Sequence, residues 1–193
     1  DPTGPSKTYG ELSQVIRSVE AQIRSENLAR EDIVAVLGEN GVATIATLLA
    51  CWKIGLAFMP IDPTLPFQRV AMMVEAAQPG LLIDTRRNVS LLPDSMGIPV
   101  IRIDANDLQN PIATTGIENA IPHAGTQLAY VMFTSGSTGR PKGVQVSRSA
   151  LANAIFSFAT DPGICASDVL ISVTTPSFDI SLVEMFCPLI VGA

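Results

Sequence analysis

A chain of 193 residues, 47% hydrophobic and 16% charged, carries enough apolar side chain to bury the core of one domain, or at most two small ones, and too much to stay disordered. Its net charge of −6 supplies no basic stripe to neutralise a phosphate backbone, so no nucleic-acid partner is expected. Cys51, Cys165 and Cys187 are odd in number, widely spaced and without histidine at ligand spacing, which speaks against a zinc site or a disulfide framework and for reduced thiols in a cytoplasmic protein. Residues 1–7 lack the basic and apolar regions of a signal peptide, and the longest uncharged apolar stretch, 42–52, is too short to span a bilayer, so no membrane partner is expected either.

In chain order, Thr8 and Glu11 stand at capping-box spacing and predict a helix carrying Leu12, Val15, Ile16, Val19 and Ile23 on one face. Residues 33–37 are a compact, largely β-branched run ending at Gly38 and predict a buried strand. Helical periodicity resumes over 42–54 and stops at Gly55, a favourable C′ residue. A short strand follows at 58–61. Pro66, placed in a first helical turn, opens a helix that runs to Ala77 before Pro79 and Gly80. Residues 81–84 and 99–103 read as short strands, and the close basic pair Arg86 and Arg87 between them reads as solvated loop charge. Residues 106–126 shift to Asn, Pro, Thr and Gly and predict a surface connector, in which the single histidine, His123, has no catalytic setting. Beyond it, Ser147 caps a helix through about Thr160, 168–174 predicts a strand, and an amphipathic segment from Asp179 is interrupted by Pro188. Met72, Met73 and Met185 fall on apolar helix faces, where packing explains them. Helices alternating with short apolar strands predict an α/β fold, with parallel or mixed sheets flanked by helices. Residues 1–105 form its α/β unit, and 127–193 a unit built on a loop and the start of a pocket.

That loop carries the chemistry. Residues 130–144 read Tyr-Val-Met-Phe-Thr-Ser-Gly-Ser-Thr-Gly-Arg-Pro-Lys-Gly-Val: an apolar strand, six small residues, then a lysine. Glycines let main-chain N–H groups approach a ligand, hydroxyls add donors, and Lys142 adds a compact positive charge, the combination that holds a phosphate chain. A Walker-type loop needs wider glycine spacing and a hydroxyl residue directly after the lysine. Here Gly136 and Gly139 lie too close, Pro141 precedes Lys142 and Gly143 follows it. With 144–146 reading as strand, the loop sits at a strand-to-strand hairpin. A bare surface turn is the competing explanation for the glycines and hydroxyls alone.

The run resembles the phosphate-binding core motif of adenylate-forming enzymes, which include acyl-CoA ligases, luciferases and the adenylation domains of nonribosomal peptide synthetases. Three other segments are similar to core motifs of that family in the same order: Thr8-Tyr9-Gly10-Glu11-Leu12, the Trp52 to Pro66 segment, and Phe178-Asp179-Ile180-Ser181. The first two have packing and capping explanations for every residue, Lys53 being a charge near a helix C-terminus rather than a base. Asp179 admits two readings: an N-cap, which capping signals favour, or a counter-ion to a buried ammonium. The resemblance favours the second, because in amino-acid-activating members the aspartate of this motif holds the substrate α-amino group.

The resemblance implies the N-terminal subdomain of an enzyme that activates an amino acid with ATP to an aminoacyl adenylate and pyrophosphate, then loads it onto the phosphopantetheine thiol of a peptidyl carrier protein. Carried over residue by residue, Thr134, Ser135, Gly136, Ser137, Thr138, Gly139 and Lys142 contact the nucleotide phosphates, and Asp179, Ile180 and Val183 line the amino-acid pocket. No residue is assigned as a general acid or base. Adenylation domains run two to three times longer than this chain, so the Mg²⁺ ligand, the ribose and adenine contacts and the catalytic lysine of a mobile C-terminal subdomain are expected outside it, with the chain alone expected to be inactive. Neighbouring synthetase domains are the further partners implied. A stand-alone ligase charging a carrier protein with an amino acid of the D-alanine type shares both motifs. An acyl- or aryl-CoA ligase lacks the ammonium and usually the aspartate, and a catalytically silent binding module is the remaining reading.

Overall fold

The computed structural model describes residues 6–86, 97–103, 124–135 and 140–193. The predicted 106–126 connector up to and including His123, together with Arg87 and the four loop positions Gly136, Ser137, Thr138 and Gly139, lies outside the described residues.

Helix α1 (Tyr9–Arg24) begins at the capping box read in the sequence. Glu11 N donates to Thr8 Oγ1 at 3.2 Å and Thr8 N donates to Glu11 Oε2 at 2.7 Å, so two otherwise orphaned amides are satisfied reciprocally. Strand β1 (Ile33–Leu37) leads to α2 (Val42–Ile54), which stops where Gly55 turns left-handed at φ 89°. Strand β2 (Ala57–Ile61), α3 (Phe67–Ala77), β3 (Leu81–Asp84) and β4 (Val100–Arg102) follow. Pro66 is the N-cap of α3, one place before the position expected, and no side chain caps that helix. Next come β5 (Leu128–Ser135), β6 (Pro141–Ser147), α4 (Arg148–Phe158) with Ser147 as its cap, one wide π turn at Ala159–Gly163, and α5 (Ile180–Val191).

The strands form one six-stranded sheet in the order β4-β3-β1-β2-β5-β6. Its neighbours run parallel except β6, which turns back along β5 as the other arm of a hairpin. A mixed sheet flanked by helices is thus the observed α/β architecture. Because helices cover both faces, the central strands are apolar throughout, and alternate side chains feed two cores. Val34, Val36, Phe58, Leu81 and Ile83 join residues of α1, α2, α4 and α5 on one face. Ala35, Leu37, Met59, Ile61 and Leu82 meet Val70, Met73 and Val74 of α3 on the other. A fully buried side chain such as Phe58 contributes about 1.5–3 kcal/mol, an upper estimate relative to an exposed one.

Several expectations are corrected. The stretch 168–174 forms no strand among the described residues: it has no ladder partner, and Val169, Ile171 and Val173 are 91%, 74% and 77% exposed. Helix α5 continues through Pro188 instead of breaking there, and the Pro188 carbonyl accepts from Gly192 N, Ala193 N and the Tyr9 hydroxyl. Arg86 is not solvated loop charge. Its guanidinium grips both oxygens of buried Asp84 at 2.9 and 2.8 Å. Met73 and Met185 are core residues, whereas Met72 faces outward. No helix among the described residues is long and apolar enough to cross a membrane.

Candidate functional site

Crevices outside the carboxyl ends of parallel strands, where the connections diverge, are where α/β sheets bind ligands, and here β2 leads back to β3 on one side of the sheet while its neighbour β5 leads on to β6 on the other. The ladder between β2 and β5 is short, with Phe58 opposite Tyr130. Beyond it, toward the carboxyl ends, a cavity of about 520 Å³ opens. Asp62, just past β2, forms one bank, and Tyr130, Met132 and Thr134 of β5 form the other. Arg69 and Met73, one turn apart on α3, close one side, while Thr175, Ser177 and Asp179 close the side toward α5.

The β5–β6 hairpin grades from apolar to polar along this wall. Tyr130 is paired with Val146, Met132 with Val144, and Thr134 with Lys142. Four of these residues are apolar or aromatic and set the depth of the cavity. The Thr134–Lys142 pair sits at the root of the glycine loop, whose two ends meet where Ser135 pairs with Pro141. Thr134 Oγ1 donates to Lys142 O at 3.5 Å, the weak limit of a hydrogen bond, which leaves the hydroxyl available. Lys142 is exposed, with no ion pair among the described residues. Gly143 leaves little room for a side chain. A Cβ there would stand 3.2 Å from both Phe133 Cζ and Val131 Cγ1, tighter than such contacts normally are.

Asp179 occupies the N-cap position of α5, yet its side chain makes no capping hydrogen bond. Its backbone is already helical at φ −60° and ψ −32°, whereas a capping side chain belongs to an extended residue. The carboxylate instead lines the cavity near Tyr130. Burial, and then the charge of Asp179, push the Tyr130 phenol above its ordinary value. Ile180 is 39% exposed beside it, and Val183 packs against the larger core. Of the residues read from the sequence, the structure brings Thr134 and Asp179 to one cavity; Lys142 pairs with Thr134 on the neighbouring strand, and neither it nor Ile180 nor Val183 is among the lining residues.

Sequence reasoning missed three lining groups. Tyr130 and Arg69 read as strand and helix residues. Asp62 lay in a segment for which packing was a sufficient account. The available signal was its position, since Asp62 follows an entirely buried strand and stands between Ile61 and Pro63. Burial pushes its carboxyl up, but hydrogen bonds from Thr175 and Thr64 outweigh this and hold it below the usual carboxylate value. Lys53, in contrast, is structural: its ammonium meets buried Glu20 at 2.6 Å and ties α2 to α1. Among the described residues no group of three or more His, Cys, Asp or Glu side chains is placed to hold a metal ion.

The chain was compared with known proteins. It is 33% identical over 186 residues to a dimodular nonribosomal peptide synthase of Bacillus subtilis, an alignment that covers 96% of this chain and 8% of that protein. It is 35% identical over 195 residues to the phosphinothricin tripeptide synthetase PhsB of Streptomyces viridochromogenes, covering 98% and 16% respectively. Among solved structures, a four-domain nonribosomal peptide synthetase bound to AMP and glycine superposes with a TM-score of 0.80 at 27% identity, over 97% of this chain and 13% of the other. The synthetase FmoA3 in its AMPPNP-bound form gives 0.81 at 28%, over 99% of this chain and 20% of the other. This chain therefore spans well under two thirds of the length of the relatives it matches. The model of the AMP-binding enzyme family matches residues 3–193, and with the fold and the cavity it establishes that the chain belongs to that family.

Proposed function

We propose that this chain is the part of an amino-acid adenylation enzyme that holds the reacting carboxylate against the phosphates of ATP. One observation carries the reading: the Asp179 carboxylate heads α5 without capping it and lines the same cavity as Thr134, at the root of the glycine loop. A free carboxylate beside an apolar wall suits an ammonium, and Asp179 takes the substrate α-amino group. Residues 134–139 and Lys142 bind the phosphates, while Ile180 and Val183 extend the pocket. The substrate carboxylate oxygen attacks the α-phosphorus, the bond to the β-phosphate oxygen breaks, and pyrophosphate leaves. No proton need move, so the chain contributes positioning and charge stabilisation and no acid or base. Mg²⁺ is held by residues beyond those described. The aminoacyl group then passes to the phosphopantetheine thiol of a peptidyl carrier protein, in a synthetase or in a stand-alone carrier-protein ligase.

Amino-acid-dependent pyrophosphate exchange, run with a panel of amino and aryl acids, tests this in the enzyme that carries this sequence. The reading expects exchange with an amino acid and none with aryl acids, and the reverse would favour a CoA ligase. Asp179→Ala should raise the amino-acid KM by roughly 10- to 150-fold, matching about 1.5–3 kcal/mol for a hydrogen bond to a charged group, with far less effect on nucleotide binding. Lys142→Ala should mainly impair handling of the phosphates. The 193-residue chain alone is expected not to support exchange, and robust exchange by it would refute that part of the reading.

A further inference from the structure

Residues 172–179 form a strap that carries Asp179 to the cavity without belonging to helix or sheet. A segment with no ladder must satisfy its polar groups elsewhere, and here three side chains from three other places do so. Asn40, after β1, donates from Nδ2 to Thr174 O at 2.8 Å and more weakly to Ser172 O at 3.4 Å. Glu184, on α5, accepts from Val173 N and Thr174 N at 3.0 Å each, from Thr174 Oγ1 at 2.6 Å and from Ser172 Oγ at 3.3 Å. Asp62, after β2, holds the end nearest Asp179: Thr175 Oγ1 donates to its Oδ2 at 2.6 Å, and its own N–H donates to Ser177 Oγ at 2.6 Å.

The Asp62 carboxylate has both oxygens committed. Oδ1 accepts from Thr64 N and Thr64 Oγ1 at 2.8 and 2.7 Å, which fixes the carboxylate against its own turn. Oδ2 then reaches across 113 positions of sequence to the strap. From there the path to Asp179 is short and stiff, since Phe178 N bonds Thr175 O, Ser181 N bonds Phe178 O and Leu182 N bonds Asp179 O, each at 3.0 Å.

We propose that Asp62 is a positioning residue for substrate binding, holding the strap at Thr175 and Ser177 so that the Asp179 carboxylate faces the cavity. This deepens the proposed function and rests on the role given there to Asp179. Asp62 does not touch the substrate ammonium. It acts through the strap, and its loss displaces Asp179 while leaving the glycine loop and Lys142 where they are. Because angstrom-scale misplacement of a binding group costs one to two orders of magnitude, the expected effect is about a tenfold rise in amino-acid KM.

The test measures KM for amino acid and for ATP separately, by pyrophosphate exchange, in the enzyme carrying this sequence. Asp62→Ala should raise the amino-acid KM about tenfold and leave the ATP KM within about twofold. Asp62→Asn should recover most of the loss, because its carbonyl still serves Thr64 and its amide can donate to the Thr175 hydroxyl. Thr175→Val removes the same bond from the other side, and this variant decides the matter if Asp62→Ala does not fold. It should reproduce the KM rise, and adding it to Asp62→Ala should raise KM no further. Equal changes in both KM values, or none in either variant while Asp179→Ala is impaired, would overturn this inference alone. An unchanged KM in Asp179→Ala would overturn the reading beneath it and this inference together.

Discussion

Arg148 is the charged group whose removal tests the packing of this fold most directly. It lies directly after β6, is 4% exposed, and has no carboxylate partner among the described residues. Its guanidinium donates to Trp52 O at 2.7 Å and to Leu56 O at 3.0 Å, and sits 6.0 Å from the centroid of the Trp52 ring. It thereby closes the end of α2 and the entry to β2 against the hairpin that bears the glycine loop. Two hydrogen bonds from a charged donor are worth about 1.5–3 kcal/mol each, or roughly 3–6 kcal/mol gross. Against this stands the cost of burying the charge, which lowers the Arg148 pKa, and an Nε with no partner among the described residues. Arg148→Met keeps apolar bulk but strands the Leu56 carbonyl, while the Trp52 carbonyl keeps only a 3.3 Å bond from Gly55 N. The net loss should be about 2–4 kcal/mol, near 10 °C in Tm for a chain of this size at roughly 2–4 °C per kcal/mol. Arg148→Lys, with one compact donor group in place of a fork, should lose about half as much. Thermal and urea unfolding measure both variants. A Met variant as stable as the parent would refute the reasoning, because the guanidinium would then be a net burden of the kind that apolar replacement relieves.

Glu20 sets a pH dependence. Burial pushes its carboxyl up, but Lys53 and Arg24 outweigh that and hold it low, so its contribution is present in full above the ordinary carboxylate range and is lost as pH falls through the lowered folded value. The Tm difference between the parent and Glu20→Gln should therefore be constant near neutrality, shrink once pH drops below about 4, and vanish in stronger acid. A difference that widens in acid would contradict the assignment. The cysteines supply a check on the cores: Cys51 is fully buried with its thiol pushed up to about 12, Cys187 is buried and raised, and Cys165 is exposed. A thiol-reactive dye should label Cys165 alone in the folded chain and all three after denaturation. Rapid native labelling of Cys51 would mean that α2 opens far more readily than its packing implies.

What could be read in the residues, and what could not, divides by the range of the forces involved. The capping box at Thr8 and Glu11, the Gly55 stop and the apolar runs of β1 and β3 are local, and those elements stand where caps and periodicity put them. The mixed α/β architecture followed from the alternation of such elements. Residues 168–174 show the opposite case, since β-branched alternation gives strand propensity, but a strand exists only with a neighbour to pair with. The polar groups of 172–174 go to Asn40 and Glu184, and nothing near them in sequence announces that. Asp179 illustrates the same limit at the site itself. Capping statistics and a counter-ion role predict one residue type at one position, and the choice turns on backbone angles that distant contacts impose. Asp62, in a segment that packing and capping explain, accepts from Thr175 a few residues ahead of Asp179. A residue whose local role is complete can still hold a second one across the sheet, as Asp62 does in accepting from Thr64 in its own turn and from Thr175, 113 positions along the chain.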